Sequence, residues 1–176
     1  GRNSEYFAED PLLAGRMAGQ QCCGFEKAQV AGCIKHFFAN NAETKRNYNH
    51  SIMSERVARE LYLGAFEYAM EIHMPATVMT GYNASNGMCC SDDPILLRKI
   101  LREEMGFEGF VMTDWGGYGD QGLEGLICGG VNWIAPGSDD DSVVTPVMDA
   151  ISSGKLPRGL VQRSLTEMLR VVLEYC

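Results

Sequence analysis

The 176-residue sequence has no apolar run of about 18 residues or more, so nothing in it reads as a helix able to span a bilayer. It has no stretch rich in Lys and Arg. With 15 basic against 23 acidic residues the formal net charge is −8, and without clustered positive charge neither a nucleic acid nor an anionic membrane is expected as a partner. Cys-x-x-Cys pairs and His/Cys ligand spacings are missing too, which argues against a structural metal site. Fixed-period repeats, low-complexity tracts and long Pro/Gly/Ser linkers are absent. The opening residues Gly1-Arg2-Asn3-Ser4-Glu5 include neither a Met start nor a leader's apolar segment, and this leaves the compartment open. Seven cysteines is an odd number, and Cys22-Cys23 and Cys89-Cys90 are neighbours badly placed to bridge each other. Reduced, mostly buried thiols are expected, which favours a reducing, cytoplasmic compartment.

What is present is globular: 45% hydrophobic and 22% charged residues can bury a core, and the length suits one domain or part of one. Short apolar, β-branched runs at 30–37, 76–82, 110–114 and 131–135 read as four buried strands. Helical periods separate them. A helix over 54–72 starts at the N-cap Ser54 and carries Val57, Leu61, Ala65, Tyr68 and Ile72 on one stripe. Another opens at Asp92-Asp93-Pro94 and stops at Gly106, and a third covers 11–24. Two more are expected over 142–153 and from Pro157 onward, the last with a stripe of Val161, Leu165, Met168 and Val172. The ten methionines are expected to fill gaps in the core.

Strand and helix alternating at this spacing imply an α/β fold with a parallel sheet. About four such units are too few to close a (β/α)8 barrel, so the expectation is either a smaller open sheet or the back portion of a barrel. Lys35-His36, Tyr82-Asn83 and Asp114-Trp115 each follow an apolar strand and should share the C-terminal rim.

Asp114 ends the run Gly109-Phe110-Val111-Met112-Thr113 and is followed by Trp115 and Gly116-Gly117. A carboxylate there suits nucleophilic attack on a sugar carbon or base catalysis, with the indole against the ring; equally it suits a helix cap beside a core Trp. The stretch from Lys35 to Arg46 supplies cations, an imidazole and amides fit for sugar hydroxyls. Lys35 also suits a Schiff-base amine if desolvated, or a plain ion pair with a neighbouring carboxylate, and His36 a bond to a backbone carbonyl. His50 and His73 have no supporting context. The acidic stretch Ser138-Asp139-Asp140-Asp141-Ser142 lacks calcium-loop spacing and reads as a helix N-terminus. The turn-rich Gly116-Gly117-Tyr118-Gly119 lacks the Lys and Ser/Thr of a phosphate loop.

Taken together, the segments resemble the catalytic barrel domain of glycoside hydrolase family 3, β-glucosidase type. The matching blocks are Gly1-Arg2-Asn3-Ser4-Glu5 with Glu9-Asp10-Pro11, Lys35-His36-Phe37 with Asn40-Asn41 and Glu43-Thr44-Lys45-Arg46, and Ser54-Glu55-Arg56 with Glu60-Leu61-Tyr62. Met79-Thr80-Gly81-Tyr82-Asn83 with Asn86-Gly87, Gly106-Phe107-Glu108-Gly109 and Thr113-Asp114-Trp115 complete the order. The resemblance implies a partial (β/α)8 barrel over residues 1–176, a retaining mechanism with Asp114 as nucleophile, and a sugar subsite lined by Arg2, Lys35, His36, Arg46 and Tyr82, with Trp115 beside the ring. Arg46, if close, would help keep Asp114 ionised. No metal or organic cofactor is implied, and the implied partner is a β-linked oligosaccharide or glycoside.

The family's acid/base in this branch comes from a following domain and one pocket Asp from an earlier strand; neither is in these residues. Glu43, Asp120 and Glu124 are candidates for a second carboxyl only by nearness in sequence. Phe38-Ala39-Asn40-Asn41 replaces the Gly-His-Gly turn of the N-acetylglucosaminidase type, which favours the glucosidase branch, and Asn132-Trp133 stand where an Asp and a smaller residue are common. The chain alone is expected to have little activity, and unpaired strand edges invite self-association.

Overall fold

The computed structural model describes residues 2–138 and 141–176. Asp10 caps the first helix, α1 (Pro11–Lys27), its Oδ1 accepting the Leu13 N–H at 2.7 Å, with Pro11 in the first turn where a missing N–H costs nothing. Strand β1 (Cys33–Phe37) follows, then a short 3-10 turn at Arg46–Tyr48 and the two-residue β2 (His50–Ser51). Ser54 caps the next helical stretch as the sequence predicts, Oγ taking the Val57 N–H.

That stretch is not one regular helix. It runs from α2 (Glu55–Val57) through a π-helical segment, Ala58–Leu63, into α3 (Gly64–Ile72). Wider turns rotate the buried face, so Ala58, Leu63, Ala69 and Met70 point inward while Val57, Leu61 and Ile72 of the expected stripe are exposed. Strand β3 (Thr77–Thr80) leads into a tight hairpin, β4 (Ala84–Ser85) and β5 (Met88–Cys89), turned by Asn86-Gly87 with both φ positive. A second π-helical segment, Ile95–Glu104, is capped by Asp93 and precedes β6 (Phe110–Met112). Then come α4 (Gly122–Gly129), which the sequence reading does not anticipate, α5 (Asp141–Ser152) and α6 (Arg158–Tyr175).

The main sheet is parallel, in the order β1-β3-β6, with Ile34 opposite Val78 and Val78 opposite Val111. It has three strands, not the expected four. The run 131–135 lies beside β6 but forms only a bridge between Trp133 and Met112, because the Asn132 side chain takes the Val111 N–H that a regular ladder would give to a carbonyl. β2, β4 and β5 form a separate small sheet, too short to leave an alternation pattern in the sequence.

Phe37, Val78 and Val111 fill the sheet's centre with Leu63, Leu97, Leu101 and Leu126 around them. Gly15 and Gly19 let α1 lie directly on α3: a Cβ on Gly15 would sit 2.5 Å from the Ala65 carbonyl oxygen, and one on Gly19 2.6 Å from that of Ala69. The stripe expected on the last helix is displaced as well, since Ser164 and Val171 are buried whereas Leu165 and Val172 are exposed. All seven cysteines are free, but only Cys22 and Cys90 are buried, fewer than expected. Met70 is in the core, but Met17, Met88 and Met148 are exposed, so gap-filling accounts for only some of the methionines. His73 is not isolated; its Nε2 pairs with Glu26 at 3.1 Å.

Candidate active site at the C-terminal ends of the strands

The parallel order sends the ends of β1, β3 and β6 to one rim, which places His36, Tyr82 and Asp114 together although they are far apart in sequence. The Asp114 side chain is 14% exposed and reaches His36, whose Nε2 lies 3.2 Å from Asp114 Oδ2. Asp114 Oδ1 accepts the Trp115 N–H at 2.8 Å and faces the Tyr82 hydroxyl at 3.0 Å. That hydroxyl is also 3.0 Å from the Trp115 carbonyl oxygen, so its single proton is shared between two acceptors. Burial and the Asp114 charge push the Tyr82 hydroxyl above its ordinary range, which keeps that proton in place.

His36 has an assignable tautomer. A guanidinium only donates, and Arg2 Nη2 lies nearer to Nδ1, at 2.6 Å, than to Nε2, at 3.3 Å; Nδ1 is therefore assigned as the acceptor and Nε2 as the nitrogen that donates to Asp114. The Tyr6 hydroxyl, 2.9 Å from Nδ1, also accepts the His36 backbone N–H. Burial, with the Arg2 and Lys35 charges, pushes His36 down to about 4, so the ring is neutral at pH 7.

The unfolded imidazole binds a proton below about 6.5 and the folded one resists until about 4, so the unfolded state holds more protons across that window and stability falls as pH falls. Full loss corresponds to something on the order of 3 kcal/mol. Urea midpoints measured from pH 7 to pH 4 should drop, and His36→Gln should remove about one proton's worth of that slope.

Glu43 ties the cationic residues together. One oxygen pairs with Arg2 in a short contact and the other takes Arg46 Nη1 at 2.9 Å, while the Arg46 guanidinium stacks over the Tyr82 ring at 3.9 Å. Arg46 therefore meets Asp114 through Tyr82 rather than by direct pairing. Lys35 Nζ pairs with Glu5 Oε2 at 2.7 Å and is exposed, which withholds the desolvation a Schiff-base amine needs. Its ion pair is the plainer of the readings the sequence left open.

Burial raises the Glu43 carboxyl, but the Arg2 and Arg46 bonds outweigh it and hold the group below the ordinary carboxylate range; the Lys35 hydrogen bond does the same for Glu5. Neither is a proton donor at neutral pH.

All seven residues singled out from the sequence, Arg2, Lys35, His36, Arg46, Tyr82, Asp114 and Trp115, thus belong to one connected cluster. Trp115 is 59% exposed and joins the cluster through its backbone N–H on Asp114. A cleft of about 610 Å³ lies behind Arg2 and His36 against Tyr62 and Phe66, but Asp114 does not line it. Tyr6 and Glu5 complete the cluster without having been given a role beforehand, and Glu43, a candidate second carboxyl by nearness in sequence, joins it as the partner of Arg2 and Arg46. The two glutamates lie in the matched blocks and were visible there; Tyr6 left no signal. Asn132 is a structural hub, as its bonds to Val111, Ser164 and Glu167 show. Among the described residues no cluster of metal-binding side chains occurs, and Asp139 and Asp140 of the acidic stretch lie outside them.

The chain is 38% identical over 175 residues to a thermostable beta-glucosidase B of Acetivibrio thermocellus, covering 98% of this chain and 22% of that protein. A beta-glucosidase of Ruminococcus albus is 38% identical, with 98% and 19% covered. The structure of beta-glucosidase 3B from Thermotoga neapolitana in complex with glucose superimposes with a TM-score of 0.93 at 41% identity, over 99% of this chain and 25% of that one. The chain thus spans about a fifth of the curated relatives it matches and a quarter of the solved ones. The model of the glycosyl hydrolase family 3 N terminal domain matches residues 1–171, and the chain belongs to that family.

Proposed function

We propose that this chain is the part of a (β/α)8 barrel that supplies the nucleophile and half of the sugar subsite of a retaining, exo-acting β-glucosidase. The observation that carries the reading is the set of donors on Asp114: Tyr82 and Trp115 on Oδ1, His36 on Oδ2. A carboxylate oxygen offers two acceptor positions; Oδ1 faces two donors, one of them shared with the Trp115 carbonyl, whereas Oδ2 faces one and keeps a position free. Oδ2 is the oxygen proposed to attack.

In the first step Asp114 Oδ2 bonds to the anomeric carbon, the glycosidic bond breaks, and the leaving oxygen takes a proton from a general acid. In the second, water attacks the same carbon from the face the aglycone left, the carboxylate departs and the water gives its proton to that acid's conjugate base. Glu5 and Glu43 are both committed to cations, so the acid is proposed to lie outside these 176 residues. Arg2, Lys35, His36 and Arg46 are proposed to bind the hydroxyls of a terminal β-linked sugar, with Trp115 against its ring. Self-association through the free edge of β1 is proposed for the isolated chain.

A fluorinated β-glucoside with an activated aryl leaving group tests the reading, because it needs little acid assistance and its covalent intermediate is long-lived. Incubated with the protein carrying this chain, it should add one fluoroglucosyl mass to the peptide containing Asp114. A folded sample that binds glucose yet takes no label would instead identify a sugar-binding remnant.

A further inference from the structure

After Asp114 and Trp115 the chain passes through Gly116, Gly117, Tyr118 and Gly119, a stretch whose glycines have little intrinsic preference for one shape. Two buried residues just ahead of the Ile95–Glu104 helix hold its backbone. Ser91 Oγ donates to the Gly117 carbonyl in a short contact and lies 3.2 Å from Thr80 Oγ1 at the end of β3. The Asp92 carboxylate packs directly against Gly119 of the same turn, and burial raises its pKa while the nearby Gln121 and Gly119 N–H groups oppose that rise.

The fit leaves no slack. A Cβ on Gly119 would lie 2.5 Å from Asp92 Oδ2 and 2.8 Å from Cys89 Cβ, and one on Gly117 would lie 3.2 Å from both Asp114 Cβ and Tyr82 Cδ1. From behind, Gly129 of α4 backs onto the same pair, since a Cβ there would be 3.1 Å from the Ser91 carbonyl oxygen. The Gly117 N–H donates to the Asp114 carbonyl at 2.9 Å, so the turn gripped by Ser91 closes onto the residue that carries the carboxylate.

We infer that Ser91 and Asp92 are positioning residues that fix the 115–121 turn from the neighbouring strand's loop and thereby set Asp114 and Trp115 against Tyr82 and His36. Its consequence for catalysis rests on the reading of Asp114 as nucleophile; its consequence for the turn does not. The pair touches no substrate. It acts because a carboxylate displaced by about 1 Å from the line of attack forfeits on the order of a hundredfold in rate.

The test compares Asp92→Ala, Asp92→Asn and Ser91→Ala in the protein as encoded, with Leu101→Val as a control for lost stability at a buried site of the same helix. Asp92→Ala should slow covalent trapping by the fluorinated glucoside ten- to a hundredfold, with the half-saturating concentration changed by less than about twofold. Asp92→Asn keeps an acceptor and should recover most of the rate; Ser91→Ala should cost several-fold. In parallel, amide hydrogen exchange across 114–121 should speed up tenfold or more in Asp92→Ala and stay unchanged in the control. Unchanged exchange in that turn, or equal slowing of trapping in Leu101→Val, overturns the inference. If wild-type protein takes no label while exchange still rises in Asp92→Ala, the positioning role stands and the hydrolase reading falls. Should Asp92→Ala not fold, Asp92→Asn and Ser91→Ala carry the same two readouts.

Discussion

Replacing Asp114 by Gly in the protein carrying this chain is expected to lower turnover of an aryl β-glucoside by roughly 10⁴-fold or more, because it removes the group proposed to form the covalent intermediate. The loss should sit in the bond-making step rather than in sugar binding. His36, Arg2 and Arg46 keep their mutual contacts through Glu43 when Asp114 is gone, so glucose affinity should change far less than rate. Azide is the informative addition. Entering the space vacated by the carboxylate, it should attack the anomeric carbon directly and release a glycosyl azide of inverted configuration, restoring part of the rate for an activated leaving group. A residual rate unaffected by azide, with a normal stereochemical outcome, would assign the nucleophile elsewhere. Asp114→Asn is a weaker test, since an amide can hydrolyse back to the acid and mask the loss.

The reason Asp114 could be picked out before any coordinates is topological. Parallel strands put their C-terminal ends on one rim, so a polar pair after each apolar run is enough to bring Lys35-His36, Tyr82 and Asp114 together. Helix caps were legible for the same kind of local reason: Ser54 and Asp93 each satisfy backbone N–H groups within three residues of themselves. Helix faces were not. Assigning Val57, Leu61 and Ile72 to the core assumes a regular turn, and the π-helical segment at Ala58–Leu63 changes the angle per residue before the stripe is complete. The missing fourth strand has a side-chain cause, since Asn132 supplies from its amide what periodicity assigns to the backbone. Helix α4 escaped notice because Gly122, Gly125 and Gly129 resemble a loop, and only tertiary packing of Leu126 makes the segment helical. Tyr6 and Glu43 act through contacts spanning 30 and 41 residues, beyond any local pattern.

Arg102→Ala should be the most destabilising single change among the residues outside the rim. Its guanidinium, 11% exposed, donates to the Gly109 carbonyl at 2.9 Å and to Asn132 Oδ1 at 2.8 Å, and pairs with Glu167 at 3.0 Å. One side chain thus joins the Ile95–Glu104 helix, the entry to β6, the 131–135 run and α6. Removing it leaves the largely buried Glu167 carboxylate without its cation and the Gly109 carbonyl without this donor, a change that costs about 3 to 5 kcal/mol, a large share of the stability a domain has. Urea unfolding of the protein should show the loss as a lower midpoint. If it arises from the abandoned charge, adding Glu167→Gln to Arg102→Met should recover more than about 1 kcal/mol relative to Arg102→Met alone, whereas additivity would put it in lost packing instead. The same geometry suits an Asn rather than an acid at residue 132. Its Nδ2 donates to Glu167 Oε2 at 2.8 Å and to the Ser164 carbonyl at 3.1 Å, and an Asp there would turn both bonds into oxygen facing oxygen. Asn132→Asp should therefore destabilise the protein while Glu167 remains charged, and should do so less in a Glu167→Gln background.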